Sequence, residues 1–363
     1  MNQPSTCLYI TNAYDAKKWG GRELVSDLNR RILAELFGER LAVYEIDRRT
    51  SLLRKAANTL SGRTDGVSAR TLREIAALLR TARPDYVFFN GSGFGPICRR
   101  IAKRFPEVHT ITFCHNVESK FFEDAYAHSR SLKSWLLSRL YARSERMVLR
   151  HSRTVVCLND RDRQLFTALY GRRPEWIAPL CLKDFFPASG PAPRPARQRP
   201  VGLFVGGCFF SNFYGVKWFL EKVAPFVDAE LLVVGRGFEN VRDRLPALPN
   251  VRIVGGTDDL VPYYLAADFI FSPIFDGSGM KTKTAEAFMF GKTLFGTKEA
   301  FEGYDAEPEK AGARCDDAES FIRTINGYPY SDATFFNAYN RERFVAEYSF
   351  EAQKRRFRQI FNA

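Results

Sequence analysis

The run Phe275-Asp-Gly-Ser-Gly-Met-Lys-Thr-Lys-Thr-Ala-Glu-Ala-Phe-Met-Phe-Gly-Lys-Thr293 decides how the chain is read. It follows a strand-like segment, Phe269-Ile-Phe271, and opens a helix. Gly277 and Gly279 let a backbone come close to a ligand, and the helix start beyond them offers unpaired N–H groups and the positive end of a dipole, which suits a diphosphate. Ser278, Met280 and Thr282 complete the loop, and Lys281 and Lys283 add countercharge. Glu286 lies about one and a half turns into the helix, where a carboxylate can accept hydrogen bonds from ribose hydroxyls. A strand, a glycine loop and a helix in this order form one unit of a parallel α/β sheet, so the flanking sequence should alternate strands and helices.

It does, on both sides of a break. Cys7-Leu-Tyr-Ile-Thr11, Leu41-Ala-Val-Tyr-Glu-Ile46, Tyr86-Val-Phe-Phe89, Thr110-Ile-Thr-Phe113 and Thr154-Val-Val-Cys-Leu158 read as buried strands of a first doubly wound sheet. Gly202-Leu-Phe-Val205, Leu231-Leu-Val-Val234, Val251-Arg-Ile-Val254, Phe269-Ile-Phe271 and Thr293-Leu-Phe295 read as a second. Between them, residues 188–200 hold four of the 18 prolines and cannot continue a helix or a sheet interior. The expected organisation is therefore a first Rossmann-like domain over 1–187, a linker over 188–200, a second Rossmann-like domain over 201–345, and a terminal helix over 346–363 that crosses back to the first, with Phe350, Phe357, Ile360 and Phe361 at helical spacing. Two such sheets are expected to face each other across a ligand-binding cleft.

Composition narrows the class. No apolar run is long enough to span a bilayer and the first residues lack a signal-peptide layout, so a cytoplasmic location is expected. The seven cysteines and four histidines are dispersed, which argues for reduced, structural thiols and against a metal site. The net charge of +13 is unevenly placed: residues 1–170 carry 29 basic against 17 acidic side chains, residues 171–199 six against two, and residues 200–363 19 against 22. The excess in the first half fits either a solubilising surface or an anionic partner.

Taken whole, the donor run and its surroundings resemble the GT-B glycosyltransferases, especially the large retaining family four with its glycine-rich loop and E-A-x-x-x-G helix. Leu203-Phe-Val-Gly-Gly207, Trp218-Phe-Leu, Leu231-Leu-Val-Val-Gly-Arg-Gly237, Pro249-Asn-Val-Arg-Ile-Val-Gly255 and Asp259-Leu-Val-Pro-Tyr-Tyr-Leu-Ala-Ala-Asp268 fall in that family's order. The first half resembles it at Trp19-Gly20-Gly21, at His115-Asn-Val-Glu118 and at Leu158-Asn-Asp-Arg-Asp162. The resemblance implies transfer of a sugar from a nucleotide diphosphate donor, a UDP-sugar or else a GDP-sugar, with retention of configuration and without a metal. It implies donor contacts from Gly207, Lys217, Arg236, the 277–283 loop and Glu286, acceptor contacts from Gly20, Gly21, Asn116 and Glu118, and a catalytic or sugar-contacting role for His115.

Two departures stand out. The carboxylate that many members carry eight positions before Glu286 is Ser278 here, and Asp276 is the candidate replacement. The Arg and Lys that members place after the first strand of the second domain are Gly207 and Tyr214, which shifts phosphate charge to Lys217, Lys281 and Lys283.

Residues 48–73 hold seven basic side chains against Asp65 alone, interleaved with leucines and free of aromatics. That pattern reads either as an apolar stripe packed on its own sheet or as a membrane surface, and not as a nucleic-acid platform, with Arg48, Arg49, Arg54 and Lys55 as the candidate membrane anchor, and Ser131–Tyr141 has a similar character. The sequence thus points to a glycosyltransferase peripheral to the inner face of a membrane, acting on a glycan or glycolipid in bacterial-type polysaccharide or lipopolysaccharide synthesis. A sugar-nucleotide epimerase on the same fold is the alternative, and a basic nucleic-acid-binding protein a further one.

Overall fold

In the computed structural model, residues 5–13, 21–47, 62–191, 193–277 and 279–362 are described. The chain forms two compact units, Met1–Pro179 with Lys354–Ala363, and Leu180–Gln353.

The first unit is built on a six-stranded, wholly parallel sheet of β1 (Cys7–Asn12), β2 (Leu41–Ile46), β3 (Tyr86–Asn90), β4 (His109–Phe113), β5 (Thr154–Cys157) and β6 (Trp176–Ile177), ordered β2-β1-β3-β4-β5-β6. β1 and β5 are buried from end to end, as strands covered on both faces must be, whereas β2 at the edge is half exposed. The terminal helix Phe350–Asn362 joins this unit from Lys354 onward. Its Phe357 packs on Phe88 with ring centroids 5.5 Å apart, and Phe361 sits 4.9 Å from Phe37 and 5.1 Å from Tyr86.

The second unit repeats the plan with β7 (Val201–Val205), β8 (Glu230–Val234), β9 (Val251–Gly255), β10 (Phe269–Ser272), β11 (Thr293–Gly296) and β12 (Gly312–Arg314), ordered β12-β11-β10-β7-β8-β9. Its core is unusually aromatic, and Phe219 stacks on Phe271 at 4.4 Å. In each sheet the winding direction reverses once, between β1 and β3 and between β7 and β10, and the carboxyl ends of strands at such a reversal are where open α/β sheets bind ligands.

The division between units differs from the one that composition suggests. It falls at Pro179/Leu180, and the proline-rich 188–200 stretch lies inside the second unit. Arg194 Nε is 2.5 Å from Asp268 Oδ1 and Arg197 Nε 3.2 Å from Asp268 Oδ2, so the arginines of this irregular stretch pin it to its own unit. Prolines forbid regular structure without forbidding docking. The return to the first unit comes at 353/354 instead of 345/346, because Tyr348 and Phe350 still bond to Leu182 through the backbone.

Candidate functional site

In the second unit the reversal point gathers the chemistry. β7 runs into Gly206 and Gly207, and β10 into the 273–281 loop that opens the helix Thr282–Met289. Gly206 has φ +157°, and a Cβ there would stand 2.6 Å from Asn212 Nδ2 and 3.3 Å from Lys283 Cε, so only glycine lets those side chains reach in. Asn212 is fixed from both ends, its Nδ2 donating to Gly207 O at 2.7 Å and its Oδ1 accepting from Lys283 Nζ at 2.9 Å. A Cβ at Gly207 would meet nothing closer than Arg236 O at 3.8 Å, which leaves that backbone open to approach.

Lys283 is buried, 5.0 Å above the Phe204 ring, and burial, with the nearby charge of Lys281, depresses its ammonium to about 7 against the pull of Glu286. Lys281 lies beside the same helix start but pairs with Glu299, Nζ to Oε1 2.6 Å, and also donates to Gly279 O at 3.1 Å. Both lysines of the donor loop are therefore present and both are muted, one by burial and one by a carboxylate. Gly277 (φ +151°) and Gly279 (φ +62°) take conformations that favour glycine, and Lys281 Cε and Nζ lie 3.3 Å from where a Gly277 Cβ would be. Met280 is buried and its sulfur accepts from Leu180 N at 3.3 Å, a packing role that the loop reading did not foresee.

Glu286 faces the same region. Tyr264, fully buried and stacked 4.8 Å from Phe290, donates its hydroxyl to Glu286 Oε2 at 2.7 Å. Burial raises the Glu286 carboxyl, opposed by the Tyr264 bond and the Lys283 charge.

Lys217 stands apart from this group. It lies five residues beyond Asn212 on the helix Phe210–Lys222, about 140° round the axis, half exposed and 3.7 Å from Glu221. With Ser211, Tyr214, Trp218, Phe275 and Asp276 it lines a depression of about 460 Å³. Asp276 is exposed on the loop and its backbone carbonyl accepts from Ser211 Oγ. Arg236 is exposed beyond β8.

The first unit carries a buried polar cluster at its own reversal point. Asn90, ending β3, accepts at Oδ1 from His115 Nε2 and from Asn29 Nδ2, both at 3.1 Å, and donates to Thr11 Oγ1 at 3.1 Å. An amide oxygen only accepts, so His115 carries its proton on Nε2. The ring is buried edge-on to Phe113 at 5.2 Å. Asn116 is half buried, and Glu118 is buried at the start of the helix Glu118–Ser129 with Oε1 3.7 Å from Arg22 Nη1. The same guanidinium approaches Asp65 at 3.5 Å. Glu145 Oε1 accepts from the Glu118 N–H at 2.7 Å and Oε2 from the Tyr170 hydroxyl at 2.6 Å, while burial pushes its carboxyl up to about 7. Gly21 opens the helix Gly21–Phe37. Gly20, Ser278, Arg48, Arg49, Arg54 and Lys55 lie outside the described residues.

Asn212, Tyr264, Glu299, Asn90 and Glu145 were not assigned from sequence. Each acts through a partner distant in the chain, and only Tyr264 falls in a stretch whose family order gave any sign of it.

Residues 199–327 match the sequence family described as Glycosyl transferases group 1, and residues 29–181 match the Glycosyl transferase 4-like domain. The two matches take in well over half of the chain and fall one on each unit. No curated protein sequence matches it. Among solved structures, a sucrose-phosphate synthase from Thermosynechococcus elongatus superposes with a TM-score of 0.73 at 15% identity, covering 98% of both chains. HepE from Anabaena in complex with UDP-glucose gives 0.70 at 12%, covering 99% of both. A glycosyltransferase from Rickettsia africae gives 0.69 at 15%, covering 99% of this chain and 98% of its own. At such identities the likeness is one of fold. The chain belongs to the group 1 glycosyltransferases with the GT-B fold, and is an enzyme that transfers glycosyl groups.

Proposed function

We propose that this enzyme takes a sugar from a nucleoside diphosphate donor, UDP in preference to GDP, and passes it with retention of configuration to a hydroxyl of a glycan or glycolipid in bacterial-type surface polysaccharide synthesis. The observation that carries the reading is the Lys283–Asn212–Gly206 arrangement at the β7/β10 reversal, with open backbone at Gly207 and with Glu286 oriented by Tyr264. The structure of HepE with UDP-glucose supports uridine, as a protein of the same fold.

As the bond from the sugar to the diphosphate breaks, negative charge gathers on the leaving group. Protonated Lys283 and the N–H groups at the start of the Thr282–Met289 helix would stabilise it, so the reading calls for no metal. Glu286 would hold the ribose, and His115, with Asn116 and Glu118, is assigned to the acceptor end. Among the described residues no helix is long and apolar enough to cross a membrane, and the reading places the enzyme at the cytoplasmic surface.

A thermal-shift series with UDP, GDP and ADP tests the donor, because a ligand that binds only the native state raises its melting temperature. No stabilisation by any of the three would refute the donor site. Product analysis with and without a glycan acceptor tests the reaction. An epimerised donor formed without acceptor would restore the epimerase alternative, which the family matches do not support.

A further inference from the structure

The helix Leu132–His151 in the first unit buries Leu140, Tyr141, Ser144, Glu145, Val148 and Leu149. Its opposite face is a single stripe. Leu132, Trp135, Leu136, Arg139, Arg143, Arg146 and Arg150 recur at spacings of three, four, seven, eleven, fourteen and eighteen residues from Leu132, which at 3.6 residues per turn keeps them on one side. All seven are exposed, Leu132 by 79%, Trp135 by 45% and Leu136 by 39%. Lys133 is exposed beside them and Arg130 just precedes the helix. Glu145 is the helix's one acidic residue, and it is buried. Every exposed charge on this helix is thus positive.

We infer that this face docks on an anionic lipid bilayer, with the Leu132–Leu136 end entering the headgroup boundary and the arginines contacting lipid phosphates. Leu132, Trp135 and Leu136 put three exposed apolar side chains next to one another at the tip of an otherwise basic stripe. An interfacial helix needs both: Trp and Leu gain from leaving water at the acyl boundary, and Lys and Arg are each drawn to an acidic lipid surface. From Leu132 to Arg150 the stripe runs about 27 Å, enough to lie across several headgroups. Arg139 already lies over Trp135 at 5.9 Å and Arg146 over Tyr170 at the same distance, contacts that leave both side chains at the surface. The docking surface would be this helix rather than the Arg48–Lys55 segment. The inference rests on the proposed function only in that a glycolipid acceptor would be met at such a surface.

Cosedimentation with vesicles of phosphatidylcholine and phosphatidylglycerol (7:3) tests it, with pure phosphatidylcholine as the comparison. Wild type should bind the anionic vesicles, release them as salt rises, and show a blue shift of tryptophan fluorescence that Trp135→Phe loses. Leu132→Ser/Trp135→Ser/Leu136→Ser should lower the partition coefficient roughly tenfold or more, while its melting temperature and UDP binding stay as in wild type. Arg48→Gln/Arg49→Gln/Arg54→Gln/Lys55→Gln should bind nearly as wild type does. Equal binding of the triple-serine variant, indifference of wild type to anionic vesicles, equal binding to pure phosphatidylcholine, or a lipid-free dimer that the triple-serine change dissolves would each overturn the proposal. UDP binding in the same samples reports separately on the donor site.

Discussion

Lys283 offers the most discriminating experiment on the donor site. Its ammonium is held near 7 by burial, so the free enzyme is about half protonated there at neutral pH. A diphosphate seated against Gly206 and Gly207 would draw the proton on. A charge-assisted hydrogen bond contributes roughly 1.5–3 kcal/mol, and at 1.36 kcal/mol per pKa unit this lifts the bound lysine by about one to two units. Linkage then requires nucleotide-sugar affinity to fall about five- to ninefold between pH 6 and pH 8. Calorimetry with UDP-glucose, whose diphosphate has no proton to lose in this range, should show that fall, with proton uptake near neutrality revealed by buffers of different ionisation enthalpy. Lys283→Met should bind weakly and without pH dependence. It should also melt no lower than wild type, because a lysine whose folded value is depressed from 10.5 opposes folding most fully below about 7 and ceases to do so above the unfolded value. A flat wild-type affinity, or the same slope in Lys283→Met, refutes the assignment of Lys283 to the phosphates.

Other outcomes follow from the geometry. Glu286→Ala should weaken nucleotide binding by roughly 1.5–3 kcal/mol while the protein stays folded, and unchanged affinity by calorimetry would remove Glu286 from the ribose. His115→Ala should lower kcat more than it weakens donor binding; an equal loss of both, or a collapsed melting temperature, would leave His115 a structural residue. Glu145, raised from 4.5 to about 7, stabilises the fold fully below 4.5 and progressively less as pH rises through 7. The melting temperature of Glu145→Gln should therefore change less than that of wild type between pH 5 and 8, and parallel profiles would show that Glu145 does not titrate there.

Much of the architecture is legible in the sequence because buried parallel strands are short, continuous apolar runs. Each of the ten expected strands is present, and Leu41–Ile46 has the bounds read from the sequence. The two strands not anticipated, Trp176–Ile177 and Gly312–Arg314, are edge strands of two and three residues, too short to show periodicity. Composition misplaced the unit boundary because it detects irregular backbone, not where Arg194 and Arg197 find Asp268. At the site, the glycines and Glu286 stand out locally, since they serve backbone conformation and helix position. The state of the lysines does not, because it depends on Phe204, Asn212 and Glu299, which are distant in sequence. Glu145 looks like one more charge on a basic helix until the neighbouring helix start is packed against it.

The two reversal points are built from the same topology with different side chains, and that contrast bears on which unit would handle which substrate. In the second unit the strand ends bring together open backbone at Gly207, the helix start at Thr282 and Lys283 with Lys281 close by, beside the carboxylates of Glu286 and Glu299. Such a set stabilises an anion that is present before reaction and carries more charge afterwards. In the first unit the strand ends carry amides, a hydroxyl and an imidazole, with the carboxylates of Asp65 and Glu118 near Arg22. A diphosphate would find little there to match its charge. A sugar hydroxyl would find amide and imidazole groups there. The proposed division of labour, phosphate to the second unit and hydroxyl to the first, would then rest on the side chains at each switch point rather than on the winding that the two sheets share.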